Sequence, residues 1–557
     1  MFENVPVINA TPELAECRDK WTYDRSHDCW CLEDVLYTSK ADVPKFQRLS
    51  VFVPKRYMNR DGTPAAASRT VPVVFENNSA GYMQMPHTWL DGPRCYAEQY
   101  LKHGLIYVTC GCRGRESRNA KGEPVGKSPA SLVDLKTAIR FLRHNREALP
   151  GDFDRIISVG WSAGGAMSAL LGVTGDNDRY EPYLRRNGAF MEESDAVYAA
   201  QIYCPIIDLE HADLAYEWCF GADKTCEDSP AGPAEIMTPF KEALSQKLAA
   251  MYTEYINGLR LRHPMTGQEL ILNADGRSGS FYEYMMDCLS VSATDYLARL
   301  GRGELSLHCT VSDYLDGRYQ FEAPAPVPGN AHHAGPEEQL REEPVQVSLG
   351  DLVSRPPKGT PYTEHKPETV LRQGDSKRGW LSWDGARARV SDLDAYVLCH
   401  RRRMKPCTSF DKLSCDSAEN QVFGSAEHDS MHFNPAVGTA IAGLLDAFPE
   451  EAARYEAAYH VSGDTALTDR IFLINPLNFI GTGEKVRIAE HFRIRSGAGD
   501  ADTSFSIAMT LALKLTGAGC SVDYAMVWDQ PHCEADYPGE ILQWIDNICK
   551  RGSDHEI

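Results

Sequence analysis

The run Gly160-Trp161-Ser162-Ala163-Gly164 limits what this chain can fold into more than any other stretch. It follows the apolar residues 156–159 and leads into the small residues Gly165 and Ala166, so it matches G-x-S-x-G in a strand–turn–helix context. A serine on so sharp a turn needs neighbours without bulk, because strand and helix must approach closely for its hydroxyl to stand clear of the sheet. Glycine–serine turns are common in loops, but the apolar strand in front argues for a strained, exposed nucleophile.

That motif demands a sheet buried on both faces, and the flanking sequence is consistent with one. Residues 73–75, 105–109 and 156–159 are short apolar runs bounded by Gly, Asp or Asn, as expected of interior parallel strands. Leu132, Leu135, Ile139 and Leu142 share one face at helical spacing after Ser128-Pro129, which predicts a crossover helix. Alternation returns near the other end: strand 491–495, helix 503–515, strand 522–528, helix 538–548. The two ends therefore read as one α/β-hydrolase core, a mostly parallel sheet flanked by helices, made of residues 1–206 and 477–557. Residues 207–476 read as a large inserted, mainly helical lid domain. Within it, residues 323–379 are rich in Pro, Glu and Gly without apolar periodicity, the pattern of a flexible or extended excursion.

Composition narrows the function classes. The 557 residues carry a formal net charge of −21, which repels phosphate backbones and anionic lipid, so neither nucleic acid nor a membrane is an expected partner. The first residues lack a basic start with an apolar core, and the 17 cysteines are odd in number and dispersed; both fit a cytoplasmic, reduced protein. Three pairs invite a metal, Cys29 with Cys31, Cys110 with Cys112, and His532 with Cys533. None has the C-x-x-C or His-x-x-x-His spacing of tetrahedral zinc, so no metal and no cofactor is expected. A monomer is the simplest state.

A serine hydroxyl becomes a useful nucleophile when a neutral imidazole takes its proton and a carboxylate orients that imidazole. In this fold the chain order is serine, acid, histidine. Asp500 follows strand 491–495 across the loop Ser496-Gly497-Ala498-Gly499, and His532 follows strand 522–528; Ser162, Asp500 and His532 are the candidate catalytic residues. His491 begins a strand and His460 precedes the final strands, which suits neither. The oxyanion needs two backbone donors. Ala163 supplies the first, and the loop after strand 73–75 supplies the second from Ser79 or Asn78.

Three stretches resemble the bacterial tannases, esterases that release gallic acid from galloyl esters. They are residues 160–165; Gly126-Lys127-Ser128-Pro129-Ala130-Ser131-Leu132-Val133-Asp134-Leu135-Lys136; and Arg493-Ile494-Arg495-Ser496-Gly497 with Asp500-Ala501-Asp502. Ser162, Asp500 and His532 match the family's triad, including the 32-residue separation of acid and histidine. The resemblance also implies a grip on phenolic hydroxyls by Lys405, Glu419 and Asp502, and a small phenolic ester as partner. Such residue types make sense, since phenols donate to carboxylates and accept from an ammonium. The long insertion departs from a compact lid. Fungal relatives pair a cysteine before the serine with one after the histidine, whereas Trp161 precedes Ser162 here although Cys533 follows His532, so that disulfide cannot form.

The expected function is hydrolysis of galloyl esters, tannins and alkyl gallates, through an acyl-enzyme. Alternatives are a feruloyl or other aromatic esterase, a serine peptidase of the same fold, or a catalytically inactive binding module, the last disfavoured by the intact set of three residues.

Overall fold

The computed structural model describes residues 20–90, 95–226, 235–305, 307, 309–317, 379–401, 403–456, 464–532 and 535–553. The expected excursion at 323–379, His460 and Cys533 lie outside them, apart from Gly379.

The strands are β1 (Thr22–Asp24), β2 (Cys29–Leu36), β3 (Arg48–Pro54), β4 (Pro72–Asn77), β5 (Ile106–Cys110), β6 (Asp152–Trp161), β7 (Ala199–Tyr203), β8 (Thr225–Cys226), β9 (Glu235–Ile236), β10 (Leu381–Trp383), β11 (Ala388–Val390), β12 (His491–Gly497) and β13 (Ser521–Val527). Nine of them form one sheet in the order β1-β2-β3-β5-β4-β6-β7-β12-β13. From β5 to β13 all pairings are parallel. The pairings β1–β2, β2–β3 and β3–β5 are antiparallel, so the parallel part of the sheet begins only with β4, the first of the apolar runs read from the sequence. Short connections between β1, β2 and β3 leave no room for crossover helices, and antiparallel neighbours need none.

Val73, Val74, Phe75, Ile156 and Ile157 are fully buried, because helices cover both faces of the sheet. On one face Leu135 of helix Ala130–His144, Leu170 of helix Ala163–Val173 and Leu511 of helix Phe505–Gly517 pack with Val73 and Ile156. On the other, Tyr100 of helix Ala97–His103 and Trp544 and Ile545 of helix Glu540–Ser553 pack with Val74 and Ile157. Burying each such side chain contributes about 1.5–3 kcal/mol.

Between β7 and β12 the chain leaves the sheet. Helices Leu209–Phe220, Pro239–Gly258 and Ser280–Gly301 dominate this stretch, with the two-stranded ribbons β8–β9 and β10–β11. Trp218, Tyr252, Phe281, Tyr396 and Phe410 belong to the same apolar cluster as Leu170 and Phe492, so the helical region shares its core with the sheet. Among the described residues no helix is long and apolar enough to cross a membrane.

Candidate active site

Ser162 lies between β6 and helix Ala163–Val173 with φ +59 and ψ −126, a backbone conformation costly for any residue with a Cβ. Close packing holds it there. A Cβ on Gly160 would collide with the carbonyl of Gly164 and sit 2.5 Å from Asn77 Nδ2; one on Gly165 would lie 2.5 Å from the carbonyl of Tyr203. The Ser162 N–H donates to Tyr203 O at 3.0 Å, and Ser162 O accepts from Ile206 N at 3.2 Å. Asn77, at the end of β4, donates through Nδ2 to Val159 O (3.1 Å), Gly164 O (3.1 Å) and Ser168 Oγ (2.9 Å). It ties strand, turn and helix together, and nothing in the sequence set it apart from Asn78.

The three candidates meet in one row. His532 Nε2 lies 2.8 Å from Ser162 Oγ, and His532 Nδ1 lies 2.8 Å from Asp500 Oδ2. Asp500 is 1% exposed, and its other oxygen accepts from Asp502 N at 2.8 Å. The loop after β12 and the loop after β13 are joined where Gly499 N donates to Gln530 O at 2.8 Å. A Cβ on Gly497 would overlap the carbonyls of Gln530 and Pro531, which is why that loop is built of small residues.

Ala163 opens its helix, so its N–H has no acceptor within the helix and is available to an oxyanion. In the loop after β4, Asn78 donates to Pro86 O at 3.1 Å, while the carbonyl of Ser79 would lie 3.0 Å from a Cβ on Gly164. Ser79 thus abuts the elbow, and the Asn78 side chain braces the loop that carries both backbone N–H groups.

Of the phenol-grip candidates, Asp502 acts through its charge on His532. The fully buried Tyr216 hydroxyl accepts from Met404 N (3.2 Å) and Lys405 N (3.0 Å) and donates to Ala501 O (2.9 Å), fixing the backbones of Lys405 and of Ala501, the neighbour of Asp502, to one atom. Lys405 Nζ rests 4.2 Å over the Phe410 ring. The loop beyond it is anchored on the Asp213 carboxylate, which accepts from Ser409 N (2.7 Å), Phe410 N (2.9 Å) and Asp411 N (3.0 Å). Glu419 is 9% exposed, in helix Ala418–Val422, and its charge acts on Tyr82 and Arg115, so it lies toward the loop after β4. Tyr216, Asp213 and Asn77 went unnoticed in the sequence because each is an isolated polar residue in an ordinary helix or strand.

Burial and charge act in opposite directions on His532 and Asp500. Burial opposes a charge on His532, but the carboxylates of Asp500 and Asp502 outweigh it and hold the ring well above its ordinary value of 6.5. Burial likewise pushes Asp500 up, and His532 together with Arg401 more than reverses this, keeping it below 3.8. Arg401, 1% exposed, donates to Thr503 O at 2.6 Å. Among the described residues, the one group of His, Cys, Asp or Glu side chains close enough to share a metal ion is Cys204, Asp500 and His532.

Known proteins resemble this chain over a short stretch in sequence and over nearly its whole length in structure. Residues 98–222 match the BD-FAE family. Esterase LipQ of Mycobacterium tuberculosis is 34% identical over 89 residues, 16% of this chain and 20% of that protein; the match spans about a fifth of the curated relative. Solved structures match nearly throughout. Tannin acyl hydrolase from Lactobacillus plantarum superposes with a TM-score of 0.71 at 29% identity, covering 95% of this chain and 98% of that one. A tannin acyl hydrolase in complex with 3,4-dihydroxybenzoate gives 0.69 at 30% identity, covering 94% of each. The chain belongs to the bacterial tannase family of the α/β-hydrolase superfamily.

Proposed function

We propose that this protein is a serine carboxylic ester hydrolase that cleaves galloyl esters to gallic acid and an alcohol. The observation that carries the reading is the unbroken row from Ser162 Oγ through His532 to Asp500, with both hydrogen bonds at 2.8 Å. Ser162 Oγ attacks the ester carbonyl as its proton passes to His532 Nε2. The tetrahedral oxygen is met by the Ala163 N–H and a second donor from the Ser79 region, each such donor being worth about 10²–10³ in rate. His532 then protonates the leaving alkoxide. In the second half-reaction it takes a proton from water, which attacks the acyl carbonyl, and returns that proton to Ser162 Oγ as the C–O bond to serine breaks.

Lys405, Glu419 and Asp502 supply one ammonium and two carboxylates around this centre, a set complementary to a ring with several hydroxyls. A structural neighbour seen with 3,4-dihydroxybenzoate is in keeping with that reading. An acyl group without those hydroxyls leaves buried polar partners unpaired, a penalty of up to about 10⁴-fold. The test is kcat/KM on methyl gallate, methyl ferulate and methyl benzoate, with Ser162→Ala as control. Gallate must lead by more than about tenfold; benzoate turned over equally fast would remove the phenol grip, and unchanged rates in Ser162→Ala would remove the nucleophile.

A further inference from the structure

Cys204 follows β7 directly, and nothing in the hydrolytic mechanism calls for a thiol there. Its Sγ accepts from Gly497 N at 3.3 Å and lies 4.0 Å from Pro531 O, which sets it between the loop that carries Asp500 and the loop that carries His532. The sulfur, a carboxylate oxygen of Asp500 and an imidazole nitrogen of His532 all lie within 4.8 Å of one another. Cys204 and Asp500 are each 1% exposed, while the His532 side chain keeps 17% of its surface open to solvent. A small ion can therefore enter from the side of the histidine.

We propose that Cys204, Asp500 and His532 form an inhibitory site for a thiophilic divalent cation, with Zn2+ the foremost candidate. Thiolate, imidazole and carboxylate are the three ligand types zinc takes, at about 2.3 Å to sulfur and about 2.0–2.2 Å to nitrogen and oxygen. Tetrahedral bonds of those lengths bring the donor atoms within about 3.3–3.8 Å of each other, so side-chain shifts of about 1 Å close the site. Water fills the fourth position. On binding, Cys204 gives its thiol proton to solvent and its sulfur lone pair forms the bond; no oxidation is involved.

Charge favours the cation. The Asp500 carboxylate lies 2.8 Å from the His532 ring and Asp502 is bonded beside it through its backbone, and a Cys204 thiolate adds a further negative charge. The consequence for chemistry follows from ligand identity: a metal on Nδ1 ends the bond to Asp500 and leaves the ring proton on Nε2, whereas a metal on Nε2 takes the lone pair itself, so in either case Nε2 can no longer accept the proton of Ser162. This last step rests on the proposed esterase reading, but the site itself does not.

Two readouts separate the two ideas. Anaerobic Co2+ titration of the full chain should give one equivalent bound with a near-ultraviolet sulfur-to-cobalt charge-transfer band, abolished by excess Zn2+ and absent in Cys204→Ser. Cys533→Ala should keep the band. A band that survives in Cys204→Ser and in Cys204→Ala, or no band in the wild type, overturns the site whatever the activity. For methyl gallate hydrolysis, Zn2+ should inhibit reversibly with EDTA, and the midpoint should rise at least about tenfold in Cys204→Ser; an unmoved midpoint overturns the inhibitory role. Cobalt binding by a chelator-treated protein that hydrolyses no ester would refute the esterase reading and leave the cation site standing.

Discussion

Replacing Tyr216 with Phe removes one oxygen and nothing else from a site where three backbone groups converge. Met404 N, Lys405 N and Ala501 O lie 3.2, 3.0 and 2.9 Å from that hydroxyl, inside a fully buried environment. Each buried group left unpaired costs about 1–3 kcal/mol, and water entering the vacated space offsets part of this, so we expect about 2–5 kcal/mol of lost stability. The kinetic effect should be selective. Lys405 and Asp502 lose their common tether, and a displacement near 1 Å in a positioning group lowers rate by about 10²-fold. The Ser162 elbow keeps its own supports from Asn77 and Tyr203, and Gly499 still joins the Gln530 loop. We therefore expect kcat/KM on methyl gallate to fall about 10²-fold and on p-nitrophenyl acetate by less than about threefold. An equal fall on both esters, in a variant that remains folded by circular dichroism, would show that the hydroxyl serves the Ser162–His532–Asp500 row and refute its role in reading the ring.

Three other perturbations check separate parts of the argument. Gly160→Ala drives a methyl into Gly164 and Asn77, and fluorophosphonate labelling of Ser162 should fall at least about tenfold even where the protein stays folded. Asp502→Asn removes a negative charge that raises His532; since only the neutral ring accepts the serine proton, the rise of kcat/KM with pH on p-nitrophenyl acetate should move to lower pH, and an unmoved profile would sever Asp502 from the ring. His432 is opposed by burial but lifted by its bond to Asp411 from 6.5 to about 9. Its pairing therefore stabilises the fold fully below pH 6.5 and loses that contribution as pH rises through about 9, at most about 3 kcal/mol. The melting temperature of the wild type should approach that of His432→Gln between about pH 6 and 10.

What the sequence revealed was set by local constraints. The elbow shows because steric crowding restricts residues 160, 164 and 165 to glycine, and Asp500 and His532 show because strand ends can be counted from apolar runs. β1–β3 escaped notice because β3 is buried along its whole length and β2 mixes charged with apolar residues, Cys-Trp-Cys-Leu-Glu-Asp-Val-Leu, so neither shows a period of two. Cys204, Tyr216 and Asn77 were invisible for another reason. Their partners lie 293, 188 or 285, and 82 to 91 positions away, and no local pattern encodes a contact of that separation.

The same long-range bonding explains why the helical region cannot be a detachable cover. Asp529, in the turn that leads to His532, has φ +57, and its carboxylate accepts from Tyr314 Oη at 2.7 Å and faces His400 Nε2 at 2.8 Å. Both partners come from the segment between β7 and β12, and Trp528 Nε1 adds a bond to the same Tyr314 oxygen at 2.8 Å. Tyr396, from the same segment, donates to the carbonyl of Ala498 in the Asp500 loop. The backbone conformation that aims the imidazole is thus held by residues that enter the chain more than a hundred positions earlier. A sheet carrying its own serine, acid and histidine but lacking that segment would keep the residues and lose the angle between them, so the geometry at Ser162 is a property of one continuous core.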